Sequence, residues 1–162
     1  MHYVLCLLVL SFLPLTPSFQ SAQSGLPVVV GPLKLLKSFE GKEAQSFLDS
    51  MHDKKVAPKS SSRGEYRSGN QQATLYVSNY GTRSQAVSVW KKMAARIGGG
   101  NRVFEHFQEL TIGSITIGCC VGLGQVHFFF CLRNRIYWWA VDPTSGTESL
   151  HNLVDSLKAH RD

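Results

Sequence analysis

Four cysteines and six histidines stand among the 162 residues, and one pairing between them has the spacing for chemistry. Cys120 and His127 flank Gly122-Leu123-Gly124-Gln125. If those four residues make a tight turn, Val121 faces Val126 and Cys120 faces His127 across an antiparallel pair. The two side chains then share one face of a sheet, about 5 Å apart at Cβ. A thiol beside an imidazole is the core of a small Cys-His enzyme acting on an ester, amide or disulfide, because the base removes the proton and the thiolate attacks. Such a nucleophile also needs a partly exposed, electropositive setting. Cys119, Val121, Phe129 and Cys131 surround Cys120 with apolar groups instead, and desolvation favours the neutral thiol. Asp142 is the nearest acidic candidate for orienting the imidazole, but strand order alone does not place it. The competing reading is a small buried thiol beside a hydrogen-bonded core or rim histidine.

The same geometry bears on bridges and metals. Cys131 falls opposite Thr116, four positions along from Cys120 and roughly 13 Å away, beyond the reach of a disulfide. Cys119 points to the other face, so three free thiols are expected in the mature chain. Cys119, Cys120, Cys131 and His127 lack the spacing of a zinc site, and neither metal nor cofactor is expected. There is no G-x-x-x-x-G-K-[ST], no G-x-G-x-x-G opening a helix, no H-E-x-x-H, no G-x-S-x-G and no C-x-x-C.

Two further features point to binding. Between Lys54 and Phe104 lie ten Lys and Arg residues against Glu65 alone, while the rest of the chain carries a small acidic excess. Lys91, Lys92 and Arg96 belong to this stretch and are candidates for meeting an anionic surface polymer or lipid through salt-screened attraction. Nucleic acid is not expected, since the basic segment lacks the interleaved aromatics of a single-strand binder. The second feature is the run Phe128, Phe129, Phe130, Tyr137, Trp138 and Trp139. One face of a sheet absorbs Phe128, Phe130, Tyr137 and Trp139. Phe129 and Trp138 then need another cover, for which the segment Leu26–Leu36, a second copy in a homodimer and an apolar ligand are the alternatives.

These residues must be positioned by the elements around them. Ala44, Phe47, Leu48 and Met51 recur at helical spacing, predicting a helix over about Phe39–His52. Lys54–Gly64 reads as a Ser, Pro and Lys-rich loop, and Val28–Val30 as a short strand. Glu65–Arg67 and Ala73–Tyr80 read as strands around a Gly-Asn turn. Ser84 is a candidate N-cap for a helix with the stripe Ala86, Val87, Trp90, Met93, Ala94 and Ile97, stopped by Gly98-Gly99-Gly100. Phe104–Leu110, Ile115–Val121, Val126–Leu132 and Arg135–Val141 read as an antiparallel meander. Ser145-x-x-Glu148 is a capping-box pattern before a helix with the stripe Leu150, Leu153, Val154 and Leu157. The expectation is an α+β domain: an antiparallel sheet of about six strands with a C-terminal four-strand meander, packed against two to three helices.

The start of the chain has a different character. Residues 1–24 hold no Asp, Glu, Lys or Arg, and Tyr3–Leu15 is almost wholly apolar before Pro14 and Pro17 break the run. Too short to span a bilayer, it reads as a signal-peptide core with cleavage before Gly25. The mature chain, residues 25–162, would be a single secreted or periplasmic domain without a transmembrane helix. The other possibility is a buried N-terminal element of a cytosolic protein.

Gly122-Leu123-Gly124-Gln125-Val126-His127-Phe128-Phe129-Phe130, followed by Ile136-Tyr137-Trp138-Trp139-Ala140-Val141-Asp142, resembles small secreted bacterial domains in which a G-x-G-Q-x-H-[FY]-[FY] strand precedes a Y-W-x-A strand. The resemblance extends to Ala73–Ser78 and the helix after it. It implies a bacterial exported protein and assigns no catalytic residue. The sequence thus points first to a non-catalytic exported binding or assembly module of the cell envelope, with another envelope protein, an anionic polymer, lipid or a second copy as partner.

Overall fold

Between Ile115 and Val141 the chain is dense in β-branched and aromatic side chains, which favour pleated, half-buried backbone. A computed structural model describes residues 25–50, 58–100 and 102–159. In chain order its elements are β1 (Val29–Val30), β2 (Leu33–Glu40), α1 (Gly41–Ser50), β3 (Ser60–Ser68), β4 (Gln71–Asn79), α2 (Arg83–Gly98), β5 (Phe104–Ile112), β6 (Ile115–Gly122), β7 (Gln125–Leu132), β8 (Arg135–Val141), a 3-10 turn (Pro143–Ser145) and α3 (Gly146–Ala159). All eight strands join one antiparallel sheet in the order β1-β2-β3-β4-β8-β7-β6-β5. The protein is α+β, with eight strands where about six are expected from the sequence. Two halves, each pairing strands consecutive in the chain, meet where β4 pairs with β8.

The additional strand is β2, and its bulge explains why periodicity conceals it. Leu33 and Leu35 face the main core, the register then shifts between Leu35 and Lys37, and Phe39 lies opposite Arg63. A bulge breaks the strict alternation by which a strand is recognised. Phe39 and Glu40 are therefore strand residues, and the helix expected from Phe39 begins at Gly41. Ser60–Gly64, expected as loop, forms the first half of β3 because β2 and β4 pair with it from both sides, burying Ser61 and Ser62. Pro58 and Lys59 precede the strand as loop, while residues 54–57 of the expected loop and the end of the expected first helix fall outside the described residues.

Helices cover both faces. On one, Leu150, Leu153 and Val154 of α3 pack with Leu75, Phe128, Phe130, Tyr137, Trp139 and Val141, all buried. The Trp139 indole N–H donates to Ser149 Oγ at 3.0 Å, and that hydroxyl donates to the Gly146 carbonyl at 2.9 Å, so the buried polar atoms are satisfied. Leu26, Val30 and Leu33 join this face. On the other, α2 lays Ala94 and Ile97 over Cys120 and Phe129, and α1 is tied to the sheet by a 2.8 Å hydrogen bond from Ser61 to Gln45.

The cap of α2 lies two residues before the expected Ser84. Thr82 Oγ1 accepts from the Gln85 amide and Gln85 Oε1 accepts from the Thr82 amide, each at 3.2 Å, forming a capping box. Ser145 donates to the Asp142 carbonyl, at 3.4 Å, within the 3-10 turn that leads into α3.

Candidate functional site

Leu123 and Gly124 both have positive φ, 52° and 74°, the pattern of a type I′ two-residue hairpin turn. That turn fixes the register between β6 and β7. Cys120 is the partner of His127 and Val121 of Val126, as the four-residue turn requires.

The pair is closed off. Cys120 is fully buried and His127 is 3% exposed. Trp138 Nε1 donates to His127 Nδ1 at 3.1 Å, and an indole nitrogen can only donate, so Nδ1 presents its lone pair. The proton therefore sits on Nε2, which donates to the Gly122 carbonyl at 2.9 Å. Both ring nitrogens are engaged, and none remains for the thiol. Burial, aided by Cys119, pushes the Cys120 thiol up to about 12, and burial lowers the His127 pKa despite the Gly122 bond. At neutral pH this is a thiol beside a neutral imidazole, without the ion pair that activates a cysteine nucleophile. Cys119, Cys120 and Cys131 are all free thiols. Asp142 is turned to another task, accepting the Gln72 amide at 2.9 Å.

A bulge in β5 completes the enclosure. The register shifts between Glu105 and Gln108, with His106 at φ 54°, so Phe104 and Phe107 both reach the α2 side while Leu110 and Ile112 reach the opposite core. Phe104 meets His127 edge-on at 5.0 Å, and Phe129 stacks on Trp138 at 5.0 Å with 11° between the rings. Gly118 lies directly beneath the Phe129 ring, where a Cβ would come within 2.3 Å of it. Trp90 donates to the Phe129 carbonyl at 3.1 Å from above. The cover over Phe129 and Trp138 is thus α2 with Phe104 and Phe107. Leu26–Leu36, one expected cover, contributes Leu26, Val30 and Leu33 to the other face. Phe129 is wholly enclosed and presents no surface, while Trp138 is half-buried.

Eight of the basic residues fall into three settings. Lys91, Lys92 and Arg96 are exposed along α2. Arg63 is drawn inward, with its guanidinium 4.3 Å from the Phe47 ring centre, 5.1 Å from Phe39 and 5.6 Å from Tyr76, and paired with Glu65 at 2.7 Å. Lys59 and Arg83 join Arg133 and Arg135 at one end of the sheet. There the Lys59 amide donates to the Asn79 carbonyl, Asn79 lies opposite Arg135, and the Tyr80 amide donates to the Asn134 carbonyl. No short sequence window contains all four, because they come from three separated segments, with Arg133 and Arg135 sharing the β7–β8 connection.

A polar recess of about 170 Å³ lies between Pro32, Gln71, Thr144, Glu148 and Asn152. Among the described residues no group of three His, Cys, Asp or Glu side chains is placed to hold a metal ion, and no helix is long and apolar enough to cross a membrane.

No protein-family model matches the chain, and no curated protein does. Among solved structures, the fold is similar to the crystal structure of a GTP binding regulator from Thermotoga maritima, with a TM-score of 0.57 and 15% identity over 88% of each chain. That likeness is one of fold.

Proposed function

We propose that the chain is a non-catalytic exported binding or assembly module of the bacterial cell envelope. The observation that carries this reading is the engagement of both His127 nitrogens, by Trp138 and by Gly122, beside a thiol whose pKa burial raises. The arrangement most suited to catalysis by residue type is a satisfied part of the core. What the domain offers to a partner is its surface, and over the whole chain cations predominate, 17 Lys and Arg against 11 Asp and Glu. Such a surface attracts anionic envelope components over short, salt-dependent distances. Export is supported by the uncharged, apolar character of residues 1–24.

Envelope fractionation combined with thiol labelling tests the reading. The protein and its Cys120→Ser variant should associate with the envelope to the same extent, and Cys120 should react with a thiol reagent only after unfolding. Rapid stoichiometric labelling of folded protein at neutral pH, abolished by His127→Ala, overturns the reading in favour of a Cys-His hydrolase or thiol enzyme.

A further inference from the structure

The end of the sheet that carries Lys59, Arg83, Arg133 and Arg135 is also the end at which the described chain begins. Gly25 lies against this cluster, since a Cβ there would come within 2.5 Å of Arg135 Nη1 and 3.4 Å of Val77. From that point the chain is held firmly: Leu26 is 3% exposed, and the Pro27 carbonyl accepts the buried Tyr66 hydroxyl at 2.9 Å. Residues 1–24, with the apolar run Tyr3–Leu15, therefore join the domain beside Arg135.

The segments that build this end, residues 25–26, 58–62, 78–84 and 131–137, contain no Asp or Glu. Lys59, Arg83 and Arg133 are exposed, and Arg135 is half-buried and hydrogen-bonded to the Tyr137 side chain. Arg133 occupies its turn at φ 59°, a conformation unfavourable for side chains other than Gly, Asn or Asp. The exposed large apolar residues, Val28, Val29, Leu36, Val103, Val121 and Leu123, belong to other segments. The cations are spread over three segments rather than gathered round one point, which suits an extended array of negative charges better than a single bound phosphate.

We infer that this end of the sheet docks on an anionic phospholipid surface, through Lys59, Arg83, Arg133 and Arg135. The occupant follows from the N-terminal run: an apolar leader engages a bilayer during export, and it enters the domain at this end, so these cations are the part of the domain delivered to the headgroups. Contact at headgroup level needs only charge, and each Lys or Arg strengthens it. Removal of the leader before Gly25 adds an α-ammonium beside Arg135 and reinforces the same surface. The inference rests on the exported binding-module reading and specifies its partner.

Co-sedimentation of the full chain with vesicles of equal parts phosphatidylglycerol and phosphatidylcholine, against phosphatidylcholine alone, tests it. The ratio of the two affinities cancels what the leader contributes to both. The expected result is a preference for anionic vesicles that collapses with salt, falls about a hundredfold in the Lys59→Glu, Arg83→Glu, Arg133→Glu variant, and stays within about threefold in Lys91→Glu, Lys92→Glu. Arg133→Gly removes one charge at a backbone position that suits glycine. It should keep the thermal unfolding of the parent and lose about fivefold in preference, which separates docking from misfolding. Retention of the preference in the triple variant overturns the inference. Loss in the α2 variant instead overturns it while leaving a binding module that uses α2. Absence of any preference for anionic vesicles overturns it, as does tighter binding to soluble poly(glycerol phosphate) with the same dependence on the triple variant.

Discussion

Trp138 donates its indole proton to Nδ1 of His127, at 3.1 Å, and so decides which nitrogen of that imidazole is protonated. A second proton on the ring would have to displace this bond. Burial opposes it as well, holding the pKa below its usual 6.5. The stability from neutral His127 is therefore complete above the unfolded value near 6.5 and is lost as pH falls from there through the lower folded value. Denaturant melts should show the native state weakening between neutral pH and pH 5. His127→Gln should flatten that part of the profile, and an unchanged slope would place the titration elsewhere.

Trp138→Phe preserves most of the stack on Phe129 and removes the donor, leaving Nδ1 without a partner in a dry environment. The expected cost is about 1–3 kcal/mol, with His127 becoming easier to protonate, as NMR titration of the imidazole would report.

Trp90 joins α2 to the sheet through both its ring and its bond to the Phe129 carbonyl. Trp90→Ala should destabilise by about 3 kcal/mol, the lower end of the range for large aromatics because the side chain is half-buried. A loss under about 1 kcal/mol in denaturant melts would mean that α2 docks without it.

Arg63 distinguishes stacking from ion pairing. Its partner Glu65 is 36% exposed and can return to water, so Arg63→Met, an apolar chain between the same rings, should cost under about 1 kcal/mol. Arg63→Glu places a second carboxylate beside Glu65 and against ring faces, and should cost about 3 kcal/mol. Equal effects in thermal melts would show that the rings contribute nothing specific.

Leu26 and Pro27 belong to the buried structure, so processing beyond them would remove part of the core. Intact-mass analysis of exported protein should give a chain starting close to Gly25. A full-length product beginning at Met1 would reject the signal-peptide reading.

The legible parts of the fold are those set by short-range rules. The β6–β7 register follows from four turn residues, and the α2 stripe from its spacing, because both are decided within a dozen neighbours. Trp139 and Phe128 are recognisable as core from the aromatic density of their strands. The β2 strand is hidden by its bulge and by exposed Lys34 and Lys37, and Ser60–Gly64 becomes strand only through partners on both sides. The sealing of Cys120 and His127 depends on which face α2 crosses and on Phe104 turning inward at a bulge, neither of which leaves a periodic trace. The basic end is equally non-local, since the segments carrying Arg83 and Arg133 come to the same end only once β4 has found β8.

That β4–β8 pairing has a consequence for the order in which the molecule forms. Each half pairs strands that are neighbours in the chain, by hairpins except where α1 intervenes between β2 and β3, and these assemble rapidly from local contacts. The seam between them aligns Ala73 with Val141 and Asn79 with Arg135, closing a loop that contains α2 and three whole strands. Until the last strand arrives, β4 has one edge unsatisfied, with Leu75 and Val77 along it and no charged residue between Gln71 and Asn79 to discourage another chain from pairing there. A chain synthesised from its N-terminus holds that edge open until Val141 emerges, so the interval between the two strands is when aggregation competes with folding.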